Sequence, residues 1–547
     1  MKRYFWILAA ALVSLAACDK NELQNGAEET PGSPAVTYIR ALGGEDASKA
    51  LIDNTTAAFT WSEGDTIAVY TTSGYKISDP LASGDGAGTN NATFVFSGAN
   101  AVTEADRADF AFYPASLVHG IYDGIKSNCA AHHTAADLVV RLRKEYSLSE
   151  VSGDKAPTPM IATNAPDGDL SFKALCPLIR ITVRNIPKQT HRIDFTFDGE
   201  NVYGEFNLTS VTPGTSSITK AADTDMEFFI QSSGCLQTKG FTPVNETITV
   251  GNLGISAWTD ELVINLPVPV GNYGKIIITA RDNSGNAILS QTVWPNGTSN
   301  WTGTRKASKK LTAALPVFTM GGGKKGIFAP GNLQYTSGAW RFAPGQYERL
   351  GAGAQSDDSR DLFGWGTGSG TDRNKTSTDD AEYSTFNDWG ANAIYGYSAG
   401  TWRTPTNVDW STVFTRSVTN IFVPAVIETP TIYGILIFPD DYSAPAGLSI
   451  SFTAINDHTS TPIPYTSNKI SDADWLLLES VGCVFLPYAG EREGTTPANY
   501  SDGVYWSSTE STATTASTVF FQSASFGWNN PVNKHRGVAV RLVRDLN

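Results

Sequence analysis

The sequence predicts a mainly β protein, and three features of its 547 residues lead there. Apolar stretches are short and rich in β-branched and aromatic residues; they alternate with polar positions; and Gly, Asn, Asp, Ser and Pro separate them at short intervals. Only 17% of the residues are charged, and a chain of this length exceeds one core, so about three folded units are expected. The net charge of -14 excludes polyanionic partners, so neither nucleic acid nor an anionic lipid surface is attracted to it.

Residues 1–18 come first. Lys2 and Arg3 precede an apolar run from Tyr4 to Ala17, too short to cross a hydrocarbon core of roughly 30 Å as a helix. The run reads as a secretion signal, and its end, Leu15-Ala16-Ala17-Cys18, resembles the lipobox of bacterial lipoproteins. The resemblance implies a diacylglycerol on the Cys18 thiol, cleavage before Cys18 and a further acyl chain on the new amine. Such a set of chains anchors a protein to a membrane at about 0.8 kcal/mol per buried methylene. The outer membrane is thus an expected partner through lipid alone, since no second segment reaches transmembrane length. Residues 19–35 are polar, with Gly, Pro and Glu, and read as a flexible tether. The acidic start Asp19-Lys20-Asn21-Glu22 is compatible with export to the cell surface.

Residues 36–184 form the first predicted sandwich. Val36-Thr37-Tyr38-Ile39-Arg40 reads as its opening strand. Phe59 and Trp61, then Ile67 and Val69, alternate about Glu63-Gly64-Asp65, which predicts a hairpin. Strands follow at Ala92–Phe96, Ala108–Pro114 and Pro159–Ala162, then along the run Leu170–Val183. The ordered pieces F-x-W-x-x-G-D, F-x-F, A-F-Y-P, P-M-I-A and L-x-F-K-x-L-C-P-L-I-R resemble the fimbrillin-like pilins of Bacteroidetes. That resemblance implies two tandem antiparallel β-sandwiches, extending over residues 185–317 through Ile193–Phe197, Val263–Val270 and Lys275–Ala280, with a turn at Asp282-Asn283-Ser284-Gly285. It also implies other fimbrial subunits as partners and cleavage after an arginine, which frees a groove for a neighbour's strand. Arg40, with Ala41 after it, stands where such a cut would fall; the other reading of Arg40 is a solvent-facing strand residue.

Gly321-Gly322-Gly323-Lys324-Lys325-Gly326 lacks the Lys-Ser/Thr ending of a phosphate loop and reads as an interdomain hinge. Residues 318–547 then hold eight of the thirteen tryptophans. Phe328–Leu333, Asp361–Gly366, Trp402–Thr406, Phe485–Gly490, Tyr505–Thr509 and Gly537–Val543 together resemble the Fibrobacter major paralogous domain, which is similar to the C-type-lectin-like superfold. The resemblance implies an α+β head. Because that superfold hosts unrelated activities, function must come from residues.

No enzyme, metal or cofactor is expected. Formylglycine-type chemistry needs a reactive cysteine pair, and the last unit has only Cys483, in an apolar run. The cluster Asp357-Asp358 with Asp361 lacks EF-hand spacing, and for it, Asp379-Asp380 and Asp440-Asp441 glycosidase separation is not readable from sequence. His132-His133 reads as an exposed loop pair. Cys176 and Cys483 read as buried free thiols, whereas Cys129 and Cys235 stay open between thiol and disulfide.

The candidate ligand patch is Trp528-Asn529-Asn530. It resembles the Trp-Asn-Asp element by which C-type lectins hold calcium and sugar, but with Asn530 in place of aspartate and no Glu-Pro-Asn upstream. An indole face suits the apolar side of a pyranose and amides suit its hydroxyls. Trp402 and Trp506 are expected in the framework. The function expected is a minor, tip subunit of a fimbria, joined by strand addition, presenting 318–547 to a glycan or a host or bacterial surface protein. Two alternatives stand beside it: a membrane-retained anchor or assembly subunit, and a surface glycan-capture lipoprotein.

Overall fold

The computed structural model describes residues 36–43, 60–71, 74–103, 110–119, 139–153, 155–163, 169–198, 201–208, 218–220, 227–230, 236–239, 246–295, 299–305, 307–350, 355–460, 462–498 and 500–547. Cys18, the 19–35 tether, Phe59, Cys129, His132, His133 and Cys235 lie outside them. The described chain is mainly β with multiple sheets, and no helix among these residues is long and apolar enough to cross a membrane.

The first sheet has seven strands in the order Gly74–Ile77, Ala68–Thr71, Phe110–Tyr113, Met160–Thr163, Leu170–Ala174, Val36–Gly43 and Asn91–Ser97. Both of its faces are buried, because alternation sends successive side chains to opposite sides. Phe94, Phe96, Met160 and Phe172 join Trp61 in one core; Phe110, Phe112 and Ile161 meet Val140, Leu142 and Phe206 in another. Those last three come from a four-stranded sheet that includes Val139–Leu142 and Gly204–Leu208. Pairing is antiparallel except that Val36–Gly43 runs parallel to Leu170–Ala174.

The expected hairpin around Gly64 does not form. Residues 60–67 run irregularly: Trp61 donates its amide to Thr89 O (2.8 Å) and accepts from Gly88 N (2.7 Å), while Leu81 N donates to Asp65 O (2.8 Å). The partner of this segment is therefore the loop 81–89. Three aromatic rings, Phe94, Tyr113 and Phe172, meet the Trp61 indole edge to face within 5.4 Å and fix it there.

A second core lies between a three-stranded sheet (Thr259–Pro267, Leu178–Ile186, Ser308–Ala314) and a five-stranded one (Ala287–Val293, Ile276–Arg281, Arg192–Phe197, Thr247–Gly251, Glu145–Ser147). Ile179, Ile181 and Val183 face Phe195, Ile248 and Ile278 across it. The run Leu170–Val183 is thus two strands rather than one. Pro177, which has no N–H to give a ladder, sits at the break, and the chain passes from the first sheet to the second there. The boundary expected at 184/185 is not respected: Glu145–Ser147 and Leu178–Ile186 build the second sandwich, and Gly204–Leu208 pairs back to Val139–Leu142.

Residues 318–547 fold as small sheets with two nine-residue helices, Asn407–Thr415 and Asp472–Ser480. Lys325–Phe328 pairs antiparallel with Val543–Asp545, so the ends of this region are tied together. The helix starts follow capping chemistry. Thr406 accepts from Asp409 N while Asp409 accepts from Thr406 N, and Ser471 accepts from Asp474 N.

The glycine stretch is not a hinge. Phe318–Thr319 pairs with Lys325–Phe328, and 321–323 is the tight turn between them, with Gly322 and Gly323 at φ 72° and 76°. The second and third regions share a core, since Leu315, Val317 and Leu546 belong to one buried cluster. Asn185 Nδ2 donates to Asp441 Oδ2 (2.7 Å) and Asp440 N to Val317 O (2.9 Å), and a side chain at Gly482 would collide with Pro316.

Candidate functional site

Trp528 lies on the strand Ser525–Asn533, which pairs with Thr515–Gln522. Thr518 opposes Asn530 and Phe520 opposes Gly527, so Val519 alone faces both Trp528 and Asn529. This is a β-bulge, a device that re-aims side chains at strand edges and sites. It parts the three residues that the sequence groups together. Asn529 turns to Ser517, whose hydroxyl donates to Asn529 Oδ1 (3.1 Å). The Asn530 carbonyl accepts from Thr518 Oγ1 (2.9 Å), and its amide leans over Gly527, where an added Cβ would lie 3.2 Å from Oδ1.

Trp528 itself is half-buried, one of five aromatic rings that form a ledge. Its indole stacks on Phe414 (6.2 Å, 18°) and meets Phe526 (5.9 Å) and His458 (5.3 Å, 70°) edge to face. Phe526 lies flat on Phe422 at 4.8 Å and 2°. Phe414 comes from the helix Asn407–Thr415 and Phe422 from the strand Phe422–Ile427, so three elements position the ledge.

His458 arrives from an irregular segment and caps the ledge from the solvent side. Asn456 pins that segment: its Oδ1 accepts from Ile421 N (2.8 Å) and Phe422 N (3.2 Å). Asp457 then folds the turn, accepting from Ser460 Oγ and from Thr459 N and Ser460 N (2.9 and 3.1 Å). These donors, the Ser460 hydroxyl foremost, hold its carboxyl down at about 2. Sequence reasoning missed His458, Phe414 and Phe422, because contacts between segments leave no local spacing. Phe526 was within reach, two positions before Trp528 on an extended chain.

The paired carboxylates go to separate partners. Asp361 is buried and accepts from Leu350 N (2.7 Å) and Gln355 Nε2 (2.5 Å), whereas Asp357 and Asp358 are exposed. Asp379 caps a turn through Ala381 N, while Asp380 faces His535 Nδ1 at 2.8 Å. Asp440 takes Thr319, Lys325 and Arg416, and Asp441 takes Asn185. Among the described residues no group of three or more His, Cys, Asp or Glu side chains is placed to hold a metal ion. Cys483 and Cys176 are free and buried, and burial pushes both thiols up, away from the reactive thiolate. Trp402 and Trp506 are buried framework, with Trp506 Nε1 donating to Phe363 O (2.7 Å).

Arg40 sits midway along Val36–Gly43, its side chain half exposed. It reaches Asn91 Oδ1 (2.9 Å) and Asp169 Oδ2 (3.4 Å), on the two sides of its strand. Tyr38 is 68% exposed, whereas Ile39 packs against the first core and Ala41 is fully buried. Val36–Gly43 lies between two neighbours, so losing residues 36–40 would uncover backbone on Asn91–Ser97.

No family model and no curated protein matches the sequence. Solved structures give weak similarities. A candidate cell adhesion protein from Bacteroides ovatus is 12% identical, with 51% of this chain and 92% of that chain covered and a TM-score of 0.28. The tip fimbrial protein Mfa3 from Porphyromonas gingivalis is 9% identical over 48% of this chain and 82% of its own, with a TM-score of 0.19. The fimbrial anchor protein Mfa2 from the same organism gives 9%, 47%, 82% and 0.19. Scores this low carry no argument about fold or function.

Proposed function

We propose that this chain is a minor subunit of a surface fimbria, exported as a Cys18 lipoprotein, that joins its neighbours by strand addition and carries 318–547 as an adhesive head. The observation that carries the reading is the placement of Val36–Gly43. It is an inserted strand near one edge of a seven-stranded sheet, with an accessible arginine directly before the fully buried Ala41. Cleavage after Arg40 would release residues 36–40 and leave the buried Ala41 paired with Leu170. A strand from another subunit would then restore the ladder to Asn91–Ser97 and fill the same positions.

The aromatic ledge supports the adhesive half, because it offers a partly exposed indole beside an exposed histidine. No catalytic role is assigned. Asp361, Asp380, Asp440 and Asp441 are engaged in structural contacts and the buried thiols are held protonated. Terminal mass spectrometry of the protein in purified fimbriae tests the reading. A start at Ala41 is expected; a start at acylated Cys18 in every molecule would point instead to the anchor subunit, and absence from fimbriae to a glycan-capture lipoprotein.

A further inference from the structure

A cleft of about 410 Å³ opens where the second sandwich meets the 318–547 region, away from the Trp528 ledge. One wall is the end of Ala287–Val293 with Trp294, beside Arg184; the other is the 439–446 loop and the C-terminal end of the helix Asp472–Ser480. Its size falls in the range of small-molecule sites, roughly 300–1,000 Å³.

The walls are held in place before any ligand arrives. Asn185 donates to Asp441 across the junction (2.7 Å), Leu315 N donates to Arg184 O (3.1 Å), and Gly482 packs against Pro316. Arg184 is steered by Glu261, 3.4 Å from its Nε. Preorganisation of this kind removes much of the ordering cost of binding.

The lining joins an indole to mixed polar groups. Trp294, the floor formed by Ala314–Pro316 and the prolines 439 and 445 supply apolar contact; Gln291, Arg184, Asp441, Ser443 and Ser480 supply donors and acceptors. A ligand that satisfies both needs an apolar face and hydroxyls that donate and accept, which describes a sugar ring. The two charged side chains of the lining, Arg184 and Asp441, are opposite in sign and cancel, so a charged ligand gains no net attraction. We infer that this cleft binds a neutral saccharide unit, as a site separate from the Trp528 ledge and independent of fimbrial assembly.

The test uses the chain from Asp19 onward. Saturation-transfer NMR with free glucose, galactose, mannose and N-acetylglucosamine, and an array of neutral and acidic oligosaccharides, are read for the native protein and for Trp294→Ala, Ser443→Trp and Trp528→Ala. Binding of a neutral saccharide is expected to persist in Trp528→Ala, whose ledge is disabled, and to weaken at least about tenfold, or 1.4 kcal/mol, in Trp294→Ala and in Ser443→Trp. Ser443 is exposed, so its replacement blocks the cleft without disturbing a core and decides the matter if Trp294→Ala fails to fold. The inference is overturned if nothing binds, if only acidic glycans bind, if both cleft variants retain binding, or if Trp528→Ala alone abolishes it.

Discussion

Replacing Asp440 by asparagine should destabilise residues 318–547, because the partners of this carboxylate, Thr319, Lys325 and Arg416, lie within them. Asp440 accepts from Thr319 N (3.0 Å) and Thr319 Oγ1 (2.6 Å), pairs with Lys325 (2.8 Å), and lies 3.0 Å from Arg416 Nε. The last contact is an ion pair without hydrogen-bond alignment; the guanidinium donates instead to the carbonyls of Val413 and Phe438. The Arg416 side chain is 2% exposed, and burial pushes it down to about 10 in spite of Asp440, so it is still charged at neutral pH. Asp440→Asn therefore strands a buried cation, which costs about 3–5 kcal/mol. For a cooperative region of this size, each kcal/mol moves Tm by about 2–4 °C, giving a drop of about 6–20 °C for the transition of the head.

The pH dependence has a definite sign. Burial opposes ionisation of Asp440, yet its bonds to Lys325 and Thr319 outweigh it and hold its folded pKa below the ordinary value of 3.8. Its contribution is fully present above the unfolded value and is lost as pH falls through the folded one. Differential scanning calorimetry from neutral pH to pH 3 should show the gap between native and variant closing in acid. The double variant Asp440→Asn with Arg416→Met should recover part of the loss, because it removes the unpaired charge. A Tm change under about 1 °C at neutral pH, or no recovery in the double variant, would refute this reasoning.

Three further outcomes are expected. Gly482→Val sets a Cβ 2.1 Å from the Pro316 Cβ at a residue with φ +82°, so thermal melts should show a loss of several degrees, as for overpacking of about 1–3 kcal/mol, with the junction becoming protease-sensitive. Trp528→Ala should abolish adhesion while lowering stability by only about 1–2 kcal/mol, since the residue is only partly buried; cell-binding and melting assays separate the two effects. Arg40→Gln should leave residues 36–40 attached and keep the protein in the membrane fraction, as fractionation and terminal sequencing would report.

Short-range patterns were legible. The pieces around Phe94, Phe112, Ile161 and Phe195 became strands because period-two alternation is imposed locally by the pleat. Pairing was not. Whether Leu178–Ile186 continues the first sheet or centres the second is decided by partners 73 to 130 positions away, Thr259–Pro267 and Ser308–Ala314. The triple glycine suggested slack, yet the contacts of Met320, Asp409 and Arg544 around Gly321 and Gly326 make it a packed turn. In the ledge, Trp528 stood out as a residue beside polar neighbours, but the bulge that separates it from Asn529 and the histidine that covers it depend on the opposing strand and on a remote turn.

The proposed function requires residues 318–547 to project from a polymer. Immunogold labelling of intact cells with an antibody against residues 318–547 tests it most directly. Gold at filament ends is the expected result, and an even coat over the envelope with bare filaments would contradict it.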